Sequence, residues 1–314
     1  MRIPGPLFAA AALTVLSLCS ACPLSAQSAW LPAKGEWLVT PSFTYSTFDE
    51  FWVGESLVSP LKDNGEDLDQ YSAFLAIEFG LTDNFAADVA FGYTVTSSTT
   101  TFDDGDDGFA DTSFGLRYRF LNETEYLPSL TVRIGGIIAG TYDENTPFSA
   151  GDGADAFESS LLFAKSFGDS GFGAFGDIGY RFRESPVPDD IFGSIGLFKR
   201  FPEIYSSNDA ITATIAYRHV ESEDGLDIEG PGFNPAAGSA HGFPALREIN
   251  QLLEGTLAYT DSGGRSYQVG IAASVDGRNT GDKLIAFFAI TIPFGGQSGA
   301  PALQPSPEPV YWTK

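Results

Sequence analysis

The stretch QYSAFLAIEFGLTDNFAADVAFGYTV, residues 70–95, decides the fold of this chain. Apolar side chains occupy every second position on both sides of the turn at residues 81–84, and outside the turn charges occur only between them. This repeat is typical of β-strands, because successive side chains of a strand point to opposite faces of a sheet. The stretch SFGLRYRF, residues 113–120, continues the pattern. Runs of roughly ten residues are long enough for tilted strands to cross a bilayer.

The same alternation predicts about twelve strands in all, the last one ending near residue 294. The predicted fold is therefore all-β, a transmembrane antiparallel up-and-down β-barrel. Short turns at 81–84, 168–171 and 261–265 fall at one end with both termini. Longer loops at 53–69, 97–109, 142–156 and 219–248 fall at the other end. An even strand number with short turns on the periplasmic side is typical of bacterial outer-membrane barrels. In the first strand, Pro41 removes a ladder donor, which a bulge could accommodate.

Composition favours the same class of protein. The chain has 27 Phe and 12 Tyr, yet its mean hydropathy is −0.01. Barrels combine these properties because apolar and polar positions alternate. No apolar run long enough for a transmembrane helix follows the N-terminal region. The net charge of −24 argues against a nucleic-acid partner, since binding to a phosphate backbone requires a basic surface.

The N-terminus has the pattern of a secretory signal peptide: a single charge at Arg2, an apolar run, and a small residue, Ala26, for cleavage. A lipoprotein signal at Cys22 is the alternative, although Cys19 stands where an aliphatic residue is usual. Cleavage after Ala26 would remove both cysteines, which excludes disulfides, Cys-ligated zinc and a Cys nucleophile. We therefore divide the chain into a signal peptide (1–26), an outer-membrane barrel (27–294) and a Pro-rich tail (295–314) that is expected to be disordered.

Charged side chains within the predicted strands collect on the face opposite the apolar one. This inner face is predicted to line the lumen, together with two apolar contacts, and comprises Glu78, Asp88, Arg117, Arg119, Arg133, Glu158, Asp177, Arg181, Arg218, Glu254, Asp276, Phe74 and Phe175. The charges could select solutes, as charged rings do in channels. They could equally form cross-strand ion pairs that brace a filled interior. A barrel of twelve strands leaves a narrow or plugged lumen.

Several motifs also resemble a known family. The sequence GLTDN at residues 80–84, the sequence GFADTSFGLRYRF at residues 108–120, and Pro128 are similar to the outer-membrane family labelled for the MetA pathway of phenol degradation. The similarity covers roughly residues 70 to 294. The resemblance implies a barrel in the bacterial outer membrane that helps aromatic or other hydrophobic molecules to cross. It implies no catalytic residues, and the loops of this chain are more acidic than expected for the family.

Two other kinds of site were considered. The acidic loop at residues 103–111 could hold weakly bound divalent cations against anionic lipid, because carboxylates are ligands for hard cations, but its spacing is not that of an EF-hand. A hydrolase would need a serine and a histidine together. Only His219 and His241 are available, with Ser239 near the second. No cofactor motif occurs, and we expect no enzyme.

The function that the sequence favours is passive or facilitated passage of small, hydrophobic or aromatic molecules across the outer membrane. A sealed barrel with a structural or surface-interaction role is the main alternative. An outer-membrane hydrolase and a soluble β-sandwich are further alternatives. If the chain forms a barrel, outer-membrane lipid is the expected partner of its apolar face, whichever of these functions the barrel has.

Overall fold

The computed structural model describes residues 28–59, 63, 67–98, 106–146, 149–205 and 209–295. The predicted signal peptide and, apart from Gly295, the predicted tail lie outside these residues, as does most of the acidic loop that begins at residue 99. No helix among the described residues is long and apolar enough to cross a membrane.

The described residues form fifteen β-strands. Their bounds are β1 Glu36–Phe48, β2 Phe51–Val53, β3 Ser56–Val58, β4 Leu68–Thr82, β5 Phe85–Ser98, β6 Asp107–Phe109, β7 Thr112–Leu121, β8 Ser129–Ile138, β9 Ala156–Ser166, β10 Phe172–Arg183, β11 Asp190–Pro202, β12 Ala210–Ser222, β13 Ile249–Thr260, β14 Ser266–Arg278 and β15 Leu284–Gly295. Short 3₁₀ turns cover Gly168–Ser170, Pro235–Ala237, Ser239–His241 and Phe243–Ala245. The strands β2 and β3 form a separate hairpin, and β6 is a short addition to β5.

The twelve long strands close into one antiparallel barrel. Each pairs with its neighbours in chain order, and β1 pairs with both β4 and β15. In the two ladders of β1, Trp37 lies opposite Phe79 and opposite Phe294. Closure satisfies the backbone N–H and C=O groups between strands, which a sheet inside lipid requires. The twelve-stranded, all-β transmembrane barrel predicted from the sequence is confirmed.

The alternation of the sequence becomes an alternation of environment. Along β4, each inward residue from Leu68 to Gly80 is buried, whereas the residues between them are half-buried. Large apolar side chains of the other face are exposed, with Ile178, Ile195 and Ile271 reaching 62%, 59% and 63%. An apolar outer band is what lipid contact requires.

The two ends of the barrel differ as predicted. Residues 83–84, 122–128, 167–171, 203–209 and 261–265 connect strands at the end that also holds the described N-terminal residues. The larger loops lie at the other end, which we assign as extracellular.

Two details differ from the sequence prediction. The strand β12 continues to Ser222, so His219 lies in a strand and the longest loop begins at residue 223. Pro41 causes no bulge: the ladder of β1 with β15 omits Thr40 and Pro41, and the register is the same on both sides of the gap.

A lysine on the lipid face should destabilise the barrel. Ile195 lies near the middle of β11 and faces outward. Because a cation at the bilayer midplane has no counterion or water, Ile195→Lys should cost roughly 2–4 kcal/mol. Urea unfolding of the protein in lipid vesicles measures this cost.

The matched control is Leu57→Lys on the β2–β3 hairpin, where the side chain is also exposed. This change should cost less than about 1 kcal/mol, because the hairpin is outside the barrel wall. Equal effects of the two lysines would contradict the assigned lipid face.

Candidate functional site: the barrel interior

The inner wall carries one row of aligned residues across seven strands, β4 to β11. In register, Glu78 lies opposite Asp88, Asp88 opposite Gly115, and Gly115 opposite Gly135. The row continues from Gly135 through Glu158 and Arg181 to Asp190. Carboxylates that face each other across a ladder are unfavourable unless counterions intervene.

Four arginines supply those counterions. Arg117 pairs with Glu78 and lies 3.2 Å, Nε to Oδ1, from Asp88. Arg133 lies 2.8 Å, Nη2 to Oδ2, from the same Asp88 and pairs with Glu158. Each guanidinium therefore joins two carboxylates, and Asp88 joins the two arginines.

The chain of charges continues upward to the extracellular loops. Arg181 lies 3.3 Å from Glu158 and 3.4 Å from Asp190. Arg183 lies 2.6 Å from Asp190 and pairs with Asp152 of the loop that follows β8. We call these nine side chains the ionic row; they are Glu78, Asp88, Arg117, Arg133, Glu158, Arg181, Arg183, Asp190 and Asp152. Their alternation of sign compensates for the cost of removing ions from water.

Two glycines make room for the middle of the ionic row. A Cβ on Gly115 would lie 2.7 Å from the guanidinium carbon of Arg133, and a Cβ on Gly135 would lie 2.7 Å from its Nη1. The guanidinium therefore lies over both glycines and reaches Asp88 on one side and Glu158 on the other. A side chain at either position would displace Arg133.

A second group of ionised residues lies on the neighbouring part of the wall. Arg218 Nε donates to Glu254 Oε2 at 3.0 Å. On β10, Asp177 accepts a hydrogen bond from Ser194 Oγ, and its second carboxylate oxygen is buried without a hydrogen-bond partner. Asp177 is thus unlike the acids of the ionic row, each of which reaches an arginine.

Apolar side chains alternate with neutral polar ones on the remaining wall, where Thr40, Ser42 and Thr44 of β1 are buried. Phe74 is 3% exposed and packs in a cluster with Leu252, Ile285 and Phe287 on β13 and β15. Phe175 is half-buried on β10 and stacks on Phe198 with ring centroids 6.5 Å apart. The interior therefore contains apolar patches beside the ionic row.

The N-terminal residues 28–33 enter the barrel at its periplasmic end, and we call them the N-terminal plug. The carbonyl of Ala29 accepts hydrogen bonds from Ser129 at 3.0 Å and from Thr131 at 2.8 Å. The carbonyl of Ser28 accepts one from Arg117 at 3.3 Å. Since all three donors lie on inward positions, the plug occupies the interior. The sequence left open whether a terminus enters the lumen.

Side chains of the plug make apolar contacts and one polar contact. Ala29 packs in a buried cluster with Leu162 and Ala164, against which Trp30 and Phe175 also pack. The indole Nε1 of Trp30 donates to Glu123 Oε2 at 3.0 Å. Glu123 belongs to the periplasmic turn at 122–128, so this turn holds the plug in place.

Loops cover the opposite end. Ser149 and Ala150 are buried, and the carbonyl of Ser149 accepts a hydrogen bond from the inward side chain of Gln70 at 3.3 Å. The same loop meets the longest loop, because Asn145 donates to the carbonyl of Pro235 at 2.8 Å and Glu144 accepts from Ser239 at 2.6 Å. The extracellular loops therefore support one another above the interior.

Hydrogen bonds to Asp111 fix the loop between β8 and β9, which lies at the extracellular opening of the barrel. Asp111 Oδ1 accepts hydrogen bonds from the backbone N–H of Gly140 at 2.9 Å and from the hydroxyl of Tyr142. Burial, with the nearby carboxylate of Asp152, raises the pKa of Asp111. Burial and the charge of Asp111 also raise the pKa of Tyr142, so its hydroxyl stays protonated and continues to donate.

The structure places most of the predicted inner residues in the interior, but two differ. Asp276 is exposed, and Gln251 on the outer face donates to it at 3.4 Å. The prediction that Asp276 lines the interior is wrong, because a register shift between Gln251 and Leu252 changes which residues of β14 face inward. Arg119 is half-buried and binds the turn residues Asp83 and Asn84 instead of the ionic row.

Sequence reasoning missed four contributors to the interior: Arg183, Asp190, Asp152 and the N-terminal plug. Arg183 follows Arg181 by two residues on the same strand, so the alternation of the sequence places both side chains on the same face. Asp190 is the first residue of β11, where the alternation of the strand has only just begun. Nothing in the composition of residues 28–33 indicates that they fold back into the barrel.

The contacts of Ser239 and His241 do not support the hypothesis of a hydrolase. Ser239 donates to Glu144, and His241 Nδ1 lies 3.2 Å from the carbonyl oxygen of Gly232. The serine and the histidine therefore have different partners. Among the described residues, no group of three or more His, Cys, Asp or Glu side chains could hold a metal ion.

Comparisons with known proteins support the fold. No family model matches the chain, and no curated protein sequence matches it. The COG4313 outer membrane channel from Pseudomonas putida F1 is similar in structure, with a TM-score of 0.61 and 14% identity over 84% of this chain and 97% of that one. The β domain of the Bordetella autotransporter BrkA has a TM-score of 0.43 and 12% identity over 84% and 100% of the two chains. The CymD monoaromatic hydrocarbon channel has a TM-score of 0.40 and 9% identity over 84% and 90%.

At these identities the likeness concerns the fold alone. The protein is an outer-membrane β-barrel, as the closed sheet and the apolar outer band require, and it belongs in the bacterial outer membrane. The resemblance to the family of the phenol-degradation pathway still depends on the short motifs quoted above.

Removing the central cation of the ionic row should be costly. Arg133→Ala leaves Asp88 and Glu158 buried without this partner, which should lower the free energy of unfolding by roughly 3–5 kcal/mol. Urea unfolding measures the loss.

The control is Arg265→Ala, which removes an exposed pair with Asp261 at 2.8 Å and should cost at most about 1 kcal/mol. If the two variants were equally stable, the ionic row would not brace the barrel.

Proposed function

We propose that this barrel lets small, mainly hydrophobic or aromatic molecules cross the outer membrane, and that the N-terminal plug opens and closes the path. One observation carries the proposal. A segment outside the strands, residues 28–33, lies inside the barrel at its periplasmic end, where Ala29 and Trp30 pack against the wall. Residues 28–33 belong to none of the described strands, so they can move without breaking a strand ladder.

Side chains of the barrel hold the plug through individual hydrogen bonds. Ser129, Thr131 and Arg117 bind its carbonyls, and Glu123 binds Trp30. A hydrogen bond of this kind contributes about 0.5–1.5 kcal/mol net. Displacing the plug therefore costs far less than opening the barrel, which would break a whole ladder in lipid.

Apolar side chains favour a solute with an apolar part. Leu162 and Phe175 lie beside the plug, and the cluster of Phe74, Leu252 and Phe287 lies toward the extracellular loops. A solute that moves along this side of the interior exchanges one apolar surface for the next. The similar structure from Pseudomonas putida F1 is described as an outer membrane channel, which is consistent with this use of the fold.

A sealed barrel is the second candidate, and the ionic row is the observation that favours it. Five carboxylates and four arginines that pair with one another fill part of the interior, and the plug and the loops occupy its two ends. On that reading, the plug would be a fixed part of the core.

Releasing the plug separates the two candidates. Glu123→Ala removes the acceptor of Trp30, so the plug should leave more readily and N-phenyl-1-naphthylamine should enter cells several-fold faster than with the wild-type barrel. The measurement is the fluorescence of this apolar dye after it is added to porin-deficient cells that express each protein.

Glu125→Ala is the matched control, because Glu125 is an exposed residue of the same turn. Its uptake should equal that of the wild-type barrel, which should itself exceed uptake by cells without the protein. Uptake at the background rate for both wild type and Glu123→Ala would instead establish a sealed barrel.

A further inference from the structure

We propose that Asp177 is a binding subsite for the ammonium group of a small amine with an apolar body. This inference rests on the proposed function and names the substrate class of the same interior. Asp177 is 9% exposed, and its Oδ2 atom is buried without a hydrogen-bond partner. Its other oxygen accepts from Ser194, which fixes the carboxylate against the wall.

The environment of this carboxylate differs from that of the other inner acids. Glu78, Asp88, Glu158, Asp190 and Glu254 each form an ion pair with an arginine, whereas Asp177 forms none. Arg218 interacts electrostatically with Asp177, but its ion pair at 3.0 Å is with Glu254. That pair is neutral as a whole, so the charge of Asp177 is left without its own counterion. A buried oxygen of this kind favours a ligand that brings both a donor and a positive charge.

Aromatic rings flank the carboxylate on both sides. A Cβ on Gly196 would overlap the ring of Phe175, and a Cβ on Gly179 would overlap the ring of Phe192. The two rings therefore lie flat against the wall, on the two sides of the Asp177–Ser194 pair in the ladder of β10 and β11. An ammonium group at this carboxylate would also lie near the face of the Phe175 ring, which is favourable because the faces of aromatic rings are negative.

Phe192 already holds a cation in this way, so Phe175 is the ring that remains for a ligand. The guanidinium carbon of Arg181 lies 5.1 Å from the centroid of Phe192, with Glu158 and Asp190 as its acidic partners. The second ring, Phe175, packs against the cluster that contains Ala29 of the plug. Movement of the plug would uncover the side of the subsite next to Phe175, where the apolar body of the amine would lie.

Binding of benzylammonium chloride to the full, detergent-solubilised barrel tests the subsite by calorimetry. We expect wild type to bind benzylammonium about tenfold more tightly than benzyl alcohol or phenylacetate, since a charge-assisted hydrogen bond exceeds a neutral one by roughly that factor. The preference should be stronger in Glu123→Ala, where the plug is released. Equal affinities for the three ligands, or no binding in either protein, would overturn the proposal without the use of any Asp177 variant.

Asp177→Asn keeps the size of the side chain and removes its charge. It should weaken benzylammonium binding about tenfold and leave benzyl alcohol unchanged. Asp276→Asn, the same change on the outer face, should alter neither. An unchanged affinity in Asp177→Asn would exclude Asp177 as the subsite. Dye uptake is measured separately, so a barrel that binds benzylammonium but admits no dye would contradict the proposed passage and not this subsite.

Discussion

The pairing of β1 with β15 closes the sheet, and the other properties of the barrel depend on it. An open edge in lipid would leave a row of N–H and C=O groups without partners. Closure also creates an inside, so that every second residue is shielded from lipid. Only then can Arg117 and Arg133, which are 0% and 1% exposed, occupy strands whose alternate residues contact acyl chains.

The register between neighbouring strands determines which of the enclosed charges lie next to each other. Because Asp88, Gly115, Gly135 and Glu158 align across four strands, a single guanidinium from Arg133 can bridge two acids over two glycines. The ionic row thereby fixes how β4 to β11 sit against one another. The other described strands carry apolar side chains such as Leu252 and Phe287 among neutral polar ones, together with the Arg218–Glu254 pair. A barrel built this way combines a braced side with a side where an apolar solute can move, provided that the plug leaves.

Much of this arrangement follows from the sequence, and the exceptions have physical causes. Alternation predicts the barrel, its two ends and the inward position of residues such as Glu78 and Arg133. The prediction for Asp276 is wrong because a single register shift changes which residues of β14 face inward. No residue near the shift marks it in the sequence. The partners of each arginine also could not be predicted, since they depend on register between strands far apart in sequence. The N-terminal plug has no periodicity, and its position is set by contacts with Ser129, Thr131 and Glu123.

Spin labels introduced one at a time from Ala86 to Val95 on β5 test the central claim most directly. If cleavage follows Ala26, the mature chain contains no cysteine of its own, so each label reports one position. In lipid vesicles, oxygen dissolved in the bilayer should relax labels at odd positions such as Val89 and Phe91 strongly, and labels at Asp88 and Ala90 weakly. The same oxygen accessibility at odd and even positions would contradict a closed barrel with its charges inside.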